Sequence, residues 1–85
     1  GDLPLEKAVE LAIQALSKQY GESRESLLRY WLEYGFTNRA YSYYESPNWT
    51  LEFLDPSGYE NFYTVVLHSP DGETLYMFSS AEGNG

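Results

Sequence analysis

Apolar residues recur every three or four positions over the first twenty residues and every second position beyond about residue 40. Leu5, Ala8, Val9, Ala12, Ile13, Leu16 and Tyr20 form one stripe, the signature of an amphipathic helix. Asp2 is placed to cap that helix, Pro4 suits its first turn and Glu6 suits the positive end of the dipole. Lys18 lies near the negative end, and Gly21 can close the helix in the left-handed conformation.

Ser23 can cap a second helix carrying Leu27, Leu28, Trp31 and Leu32 on one face, with Gly35 ending the run. The pattern leaves its end open between Arg29 and Tyr34, since Tyr30, Trp31 and Tyr34 suit a strand equally well.

After Gly35 the period shifts toward 2. Ala40 to Tyr44 is the first strand candidate, broken by Ser46-Pro47-Asn48. Trp49, Leu51 and Phe53 alternate with Thr50 and Glu52, which predicts a half-buried strand. Asp55-Pro56-Ser57-Gly58 is a turn signal. Phe62 to His68 is a third strand, with Tyr63, Val65 and Leu67 on one side. Pro70-Asp71-Gly72 turns the chain into a fourth, Thr74 to Ser79. Residues 81–85 are expected to form a flexible tail. Short connections make successive strands antiparallel. The expected fold is α+β, with one or two N-terminal helices packed on one face of a four-stranded antiparallel meander.

At 85 residues the chain fits a single domain, residues 1–85, and 42% hydrophobic content with 18% aromatics supports a packed core. Net charge is −8, and the five basic residues do not cluster, which excludes nucleic acid and anionic membrane surfaces as natural partners. No apolar run reaches the length of about 18 residues that a spanning helix needs, so direct membrane insertion is not expected. Without cysteine there are no disulfides and no thiolate metal sites. Gly1 immediately before a helix start reads as the join left by an excision, so a native leader or anchor is expected upstream.

Several segments resemble the PepSY-type domain, a small module of secreted bacterial proteins and of the propeptides of thermolysin-type metalloproteases. They are the opening run Glu6 to Leu16, the Tyr20-Gly21 stop, the strand Trp49 to Phe53, and Tyr63-Thr64-Val65-Val66-Leu67 followed by Asp71-Gly72-Glu73. The resemblance spans most of the chain. It implies an extracellular or envelope-anchored module that binds a protein or restrains a peptidase, and it implies no catalytic residues.

Chemistry-bearing side chains are few. His68 is the single imidazole, with no paired carboxylate or nucleophile in its sequence neighbourhood beyond Ser69, and it reads as a surface histidine. Asp71 and Glu73 flank a turn glycine and lack the ligand spacing of a calcium loop. Glu52 and Asp55 have the residue types of a glycosidase pair but read as strand and turn acids. Trp31 and Trp49 read as core anchors.

The tyrosines remain. Tyr41, Tyr43 and Tyr44 occupy both faces of the first strand candidate, so one face turns away from the helices. Together with Tyr76 and Phe78 they form either an amphipathic contact patch or cross-strand pairs that stabilise a wet sheet face. The expectation is a non-enzymatic protein- or peptide-binding module, a monomer or weak dimer, with no cofactor and no metal. Tyr41, Tyr43, Tyr44 and Tyr76 are its contact residues. A propeptide-like peptidase regulator and a structural spacer are the alternatives.

Overall fold

The computed structural model describes residues 1–83. Helix α1 spans Leu5–Tyr20, and a five-residue α2 spans Arg24–Leu28. Four strands follow: β1 Trp31–Thr37, β2 Asn48–Leu54, β3 Phe62–His68 and β4 Thr74–Ser79. A short α3 covers Ser80–Gly83. The sheet order is β1-β2-β3-β4, every neighbour antiparallel, with helices on one face. This is the expected α+β meander.

The helix ends follow the expected chemistry with one correction. Gly21 takes φ 74°, and its N–H donates to Ser17 O at 3.0 Å. Ser23 Oγ caps α2 by accepting from Ser26 N at 3.1 Å. Asp2, however, does not cap α1. Pro4 occupies the N-cap position, and the Asp2 carboxylate instead accepts from Ser69 Oγ at 2.8 Å. The N-terminal segment is thereby tied to the β3–β4 hairpin, and Leu3 N reinforces the tie by donating to Ser69 O at 2.9 Å.

The first strand also lies earlier than its sequence candidate. Gly35 does not end a helix; it sits in the middle of β1. Arg29 N and Tyr30 N donate back to Ser26 O and Leu27 O, closing α2 with tight turns, and the aromatic-rich segment beyond takes the extended form that β-formers favour. Ala40–Tyr44 is no strand. Arg39–Tyr41 is a single 3-10 turn, and the loop that follows returns the chain to β2. Residues 81–83 belong to α3, so the expected tail is helical over its described part. Asn84 and Gly85 lie outside the described residues.

The core lies between α1 and one sheet face. Ala8, Ala12, Ile13 and Leu16 meet Leu51, Phe53, Val65 and Leu67, with Leu27 of α2 closing one side. The register pairs Leu51 with Val65 and Phe53 with Tyr63, so the odd-numbered residues of β2 and β3 all point to the helix. Small alanines on α1 let the helix sit close to these larger strand residues, and each fully buried Leu or Val contributes roughly 1.5–3 kcal/mol. Trp49 joins the core edge as expected, its indole N–H donating to Leu3 O at 2.9 Å.

Two local devices lock the layers. Gly72 turns the β3–β4 hairpin at φ 76°, and a Cβ there would collide with Leu11 of α1. Glu22, between the helices, accepts from Ser26 Oγ at 2.7 Å and from Tyr63 OH at 2.6 Å. The Tyr63 ring lies between Tyr20 and Tyr30, with centroids 5.3 and 5.9 Å away.

Candidate functional site

Helix α1 packs on β2, β3 and β4, which leaves β1 as an open flank of the sheet. Among the described residues, only the β2 side of β1 is paired, from Trp31 opposite Leu54 to Thr37 opposite Asn48. On the helix side Leu32 is half-buried, whereas Tyr34 is 58% and Phe36 39% exposed. Both rings lean on Trp49, Phe36 edge-on at 5.3 Å and Tyr34 at 6.5 Å. On the opposite face β1 presents Trp31, Glu33, Gly35 and Thr37. Trp31 is 61% exposed, so it is not the core anchor its hydrophobicity suggested.

The two outer strands of the sheet differ in protection. Strand β4 carries a register shift, with Leu75 left unpaired between Tyr76 opposite Val66 and Thr74 opposite Leu67. It then runs directly into α3. A bulge is one way of blunting a sheet edge. Strand β1 has seven paired residues with no bulge, no proline, no lysine and a single charge, Glu33. Its outer backbone groups are therefore free to pair with another strand.

Glu33 sits directly opposite Glu52 in the β1–β2 register. Like charges in facing positions destabilise a sheet. Among the described residues, the one ion pair is Arg24–Glu10, between the two helices, so neither Glu33 nor Glu52 has a cationic partner. The two glutamates line a shallow hollow of about 200 Å³ with Tyr34, Gly35 and Thr50. Glu33 also lines a neighbouring cleft of about 340 Å³ with Trp31, Leu54 and Tyr59. Tyr59 reaches it from the β2–β3 loop, which Asp55 organises by accepting from Ser57 N at 2.9 Å and Ser57 Oγ at 2.7 Å. Those bonds hold the Asp55 carboxyl below its ordinary range.

The four tyrosines expected at the site are brought together only in part. The loop from Asn38 to Pro47 folds across the end of the sheet face turned away from α1. Ser42 Oγ accepts from Asn48 Nδ2 at 2.7 Å, Ser46 Oγ meets His68 Nδ1, and Pro47 O accepts from Ser69 N at 2.8 Å. Val66 lies on that same face, outside the main core, yet is only 4% exposed. Tyr43 and Tyr44 pack edge to face at 5.1 Å. Burial, then the nearby hydroxyls of Tyr76 and Tyr43, push the Tyr44 phenol up. Tyr43 and Tyr44 thus form a ring pair, and Tyr76 is near enough to act on the Tyr44 phenol. Tyr41, 84% exposed on the 3-10 turn, makes no ring pair among the described residues.

His68 does have a hydroxyl beside it, one the sequence did not indicate. Ser46 is 22 positions away and reaches it only because the loop folds back. Ser46 is nearly buried, and its hydroxyl also donates to Pro47 O at 3.1 Å, so the contact holds the loop to β3. No group of three or more potential metal-ligating side chains occurs among the described residues. Among them, no helix is long and apolar enough to cross a membrane.

Searches against protein-family models, curated proteins and solved structures find no match to this chain.

Proposed function

We propose that this chain is a non-enzymatic protein-binding module that takes an extended segment of its partner along β1. The observation that carries the reading is the contrast between the two sheet edges: β4 is bulged, whereas β1 is regular, aromatic and without a proline or lysine. Strand addition supplies affinity through main-chain hydrogen bonds and selectivity through alternate side chains. Both β1 faces offer contacts for the latter, Tyr34 and Phe36 on one and Trp31 on the other. The Tyr43–Tyr44 pair, with Tyr76 near it, is a further contact surface at the far end of the sheet. The resemblance to PepSY-type domains supports a secreted or envelope-anchored setting, with a peptidase as one partner class.

The test is selection of random linear peptides on the intact chain, followed by amide chemical-shift mapping of the enriched sequences. Shifts centred on Trp31–Thr37 are expected. Failure to enrich any linear peptide, or shifts confined to α1, would sink the reading. Shifts confined to Tyr43, Tyr44 and Tyr76 would move the binding surface to the loop.

A further inference from the structure

Resting on that reading, we infer the chemistry of the segment β1 accepts: a strand whose alternate residues are basic, with apolar residues between them. Three features of the edge converge on it.

The first is charge. Glu33 and Glu52 face each other without a cation, on a protein of net charge −8. A lysine or arginine from an added strand would lie on the same face and relieve their repulsion. The second is the cleft beside them. Trp31 and Tyr59, each more than 60% exposed, line it together with Glu33. Aromatic faces beside a carboxylate attract ammonium and guanidinium groups. The third is spacing. The hollow and the cleft share Glu33 and lie side by side along β1. Residues i and i+2 of a strand point to the same face, about 6.5–7 Å apart, so two successive basic residues can enter both.

The residues between them turn to the helix side. There they meet Leu32, Tyr34 and Phe36, a surface with no charge of its own. A second copy of this chain fits less well. Its β1 carries one glutamate and no basic residue, and a dimer would join two bodies of charge −8.

The probe is a ten-residue peptide alternating Lys and Val, titrated into the intact chain at low salt and followed by amide shifts. Saturable binding is expected, centred on Trp31–Thr37 and on Tyr59. It should weaken at least tenfold between about 50 and 300 mM salt, as screening of exposed charge requires. A Glu-Val peptide should not bind, and the Lys-Val peptide methylated on every amide nitrogen should lose binding. Glu33→Lys and Glu33→Gln should each weaken binding, the former at least tenfold. Glu33→Lys should at the same time raise the unfolding temperature, because it removes the facing pair of like charges. A merely structural Glu33 would not move stability and affinity in opposite directions.

Equal binding of the Lys-Val and Glu-Val peptides would overturn the charge inference and leave strand addition standing. No peptide binding, with concentration-dependent dimerisation abolished by Tyr34→Lys, would make a second copy the occupant and overturn the basic-segment proposal alone. No peptide binding and no self-association would overturn both.

Discussion

Tyr63 donates its hydroxyl to Glu22 at 2.6 Å, across 41 positions of sequence. The bond joins the turn between α1 and α2 to the middle of the sheet and sets opposite shifts on its two partners. Tyr63, and then Ser26, hold the Glu22 carboxyl below its ordinary range. Burial, and then Glu22, push the Tyr63 phenol far up. The lowered carboxyl stabilises the fold above its unfolded value of about 4.5, and that contribution is lost as pH falls through the folded value. The raised phenol acts in the opposite sense: its contribution is complete below about pH 10 and is lost as pH rises beyond it.

Unfolding temperature should therefore fall away on both sides of neutrality. Tyr63→Phe should lower stability by about 1–2 kcal/mol at neutral pH and make both limbs shallower. The alkaline limb should shrink without vanishing, because burial also raises Tyr20 and Tyr30. Thermal unfolding from about pH 3 to pH 11 checks this, and a variant with both limbs unchanged would refute the assignment.

Two glycines with positive φ should respond differently to alanine. At Gly21, φ is 74° and the space around a new Cβ is open, so only backbone strain is expected, about 1 kcal/mol. Gly72 has the same backbone constraint, and its Cβ would also strike Leu11 and crowd Leu3. Gly72→Ala should therefore cost clearly more than Gly21→Ala, roughly 2–3 kcal/mol by chemical denaturation. Equal losses would mean that Leu11 moves aside freely.

Trp49→Phe keeps most of the ring packing but removes the indole N–H that holds Leu3 O. A loss of about 1 kcal/mol is expected. Hydrogen exchange should quicken at the Leu3 amide, which bonds Ser69 O, well before it does in β2. Uniform acceleration through the sheet would show instead that Trp49 acts as a core residue alone.

His68→Ala should release the Asn38–Pro47 loop by removing the partner of Ser46. The amides of Tyr43 and Tyr44 should shift, while those of α1 stay in place. A chain whose loop amides do not move would free His68 from this anchoring role.

Helix α1, strands β2 to β4 and both hairpin turns were legible because local period, turn residues and burial agree there. Strand β1 was not. Trp31, Leu32 and Tyr34 satisfy a helical and an extended pattern equally, and what decides is the pairing of Leu32 with Phe53 and Tyr34 with Leu51, a partner beyond any local window. The Tyr41–Tyr44 run has strand composition, yet Ser42 bonds Tyr44 N and Asn48 Nδ2, giving the backbone a local alternative to a ladder. For the site, the aromatic abundance was visible and its grouping was not. Edge position belongs to topology, so the exposure of Trp31 and the facing of Glu33 by Glu52 could be read only once the strand order was fixed.

The sheet order repeats the chain order, so each strand pairs with the strand that follows it. Such a sheet can zip from hairpin to hairpin, closing only short loops at each step. The costly closures fall at the other end of the molecule, where Asp2 and Leu3 reach Ser69 and Leu3 reaches Trp49. The packing of α1 is long-range as well, since Ala8, Ile13 and Leu16 share one core with Leu51, Val65 and Leu67. Docking α1 and the segment before it on the finished meander is thus the step that closes the longest loops in this chain.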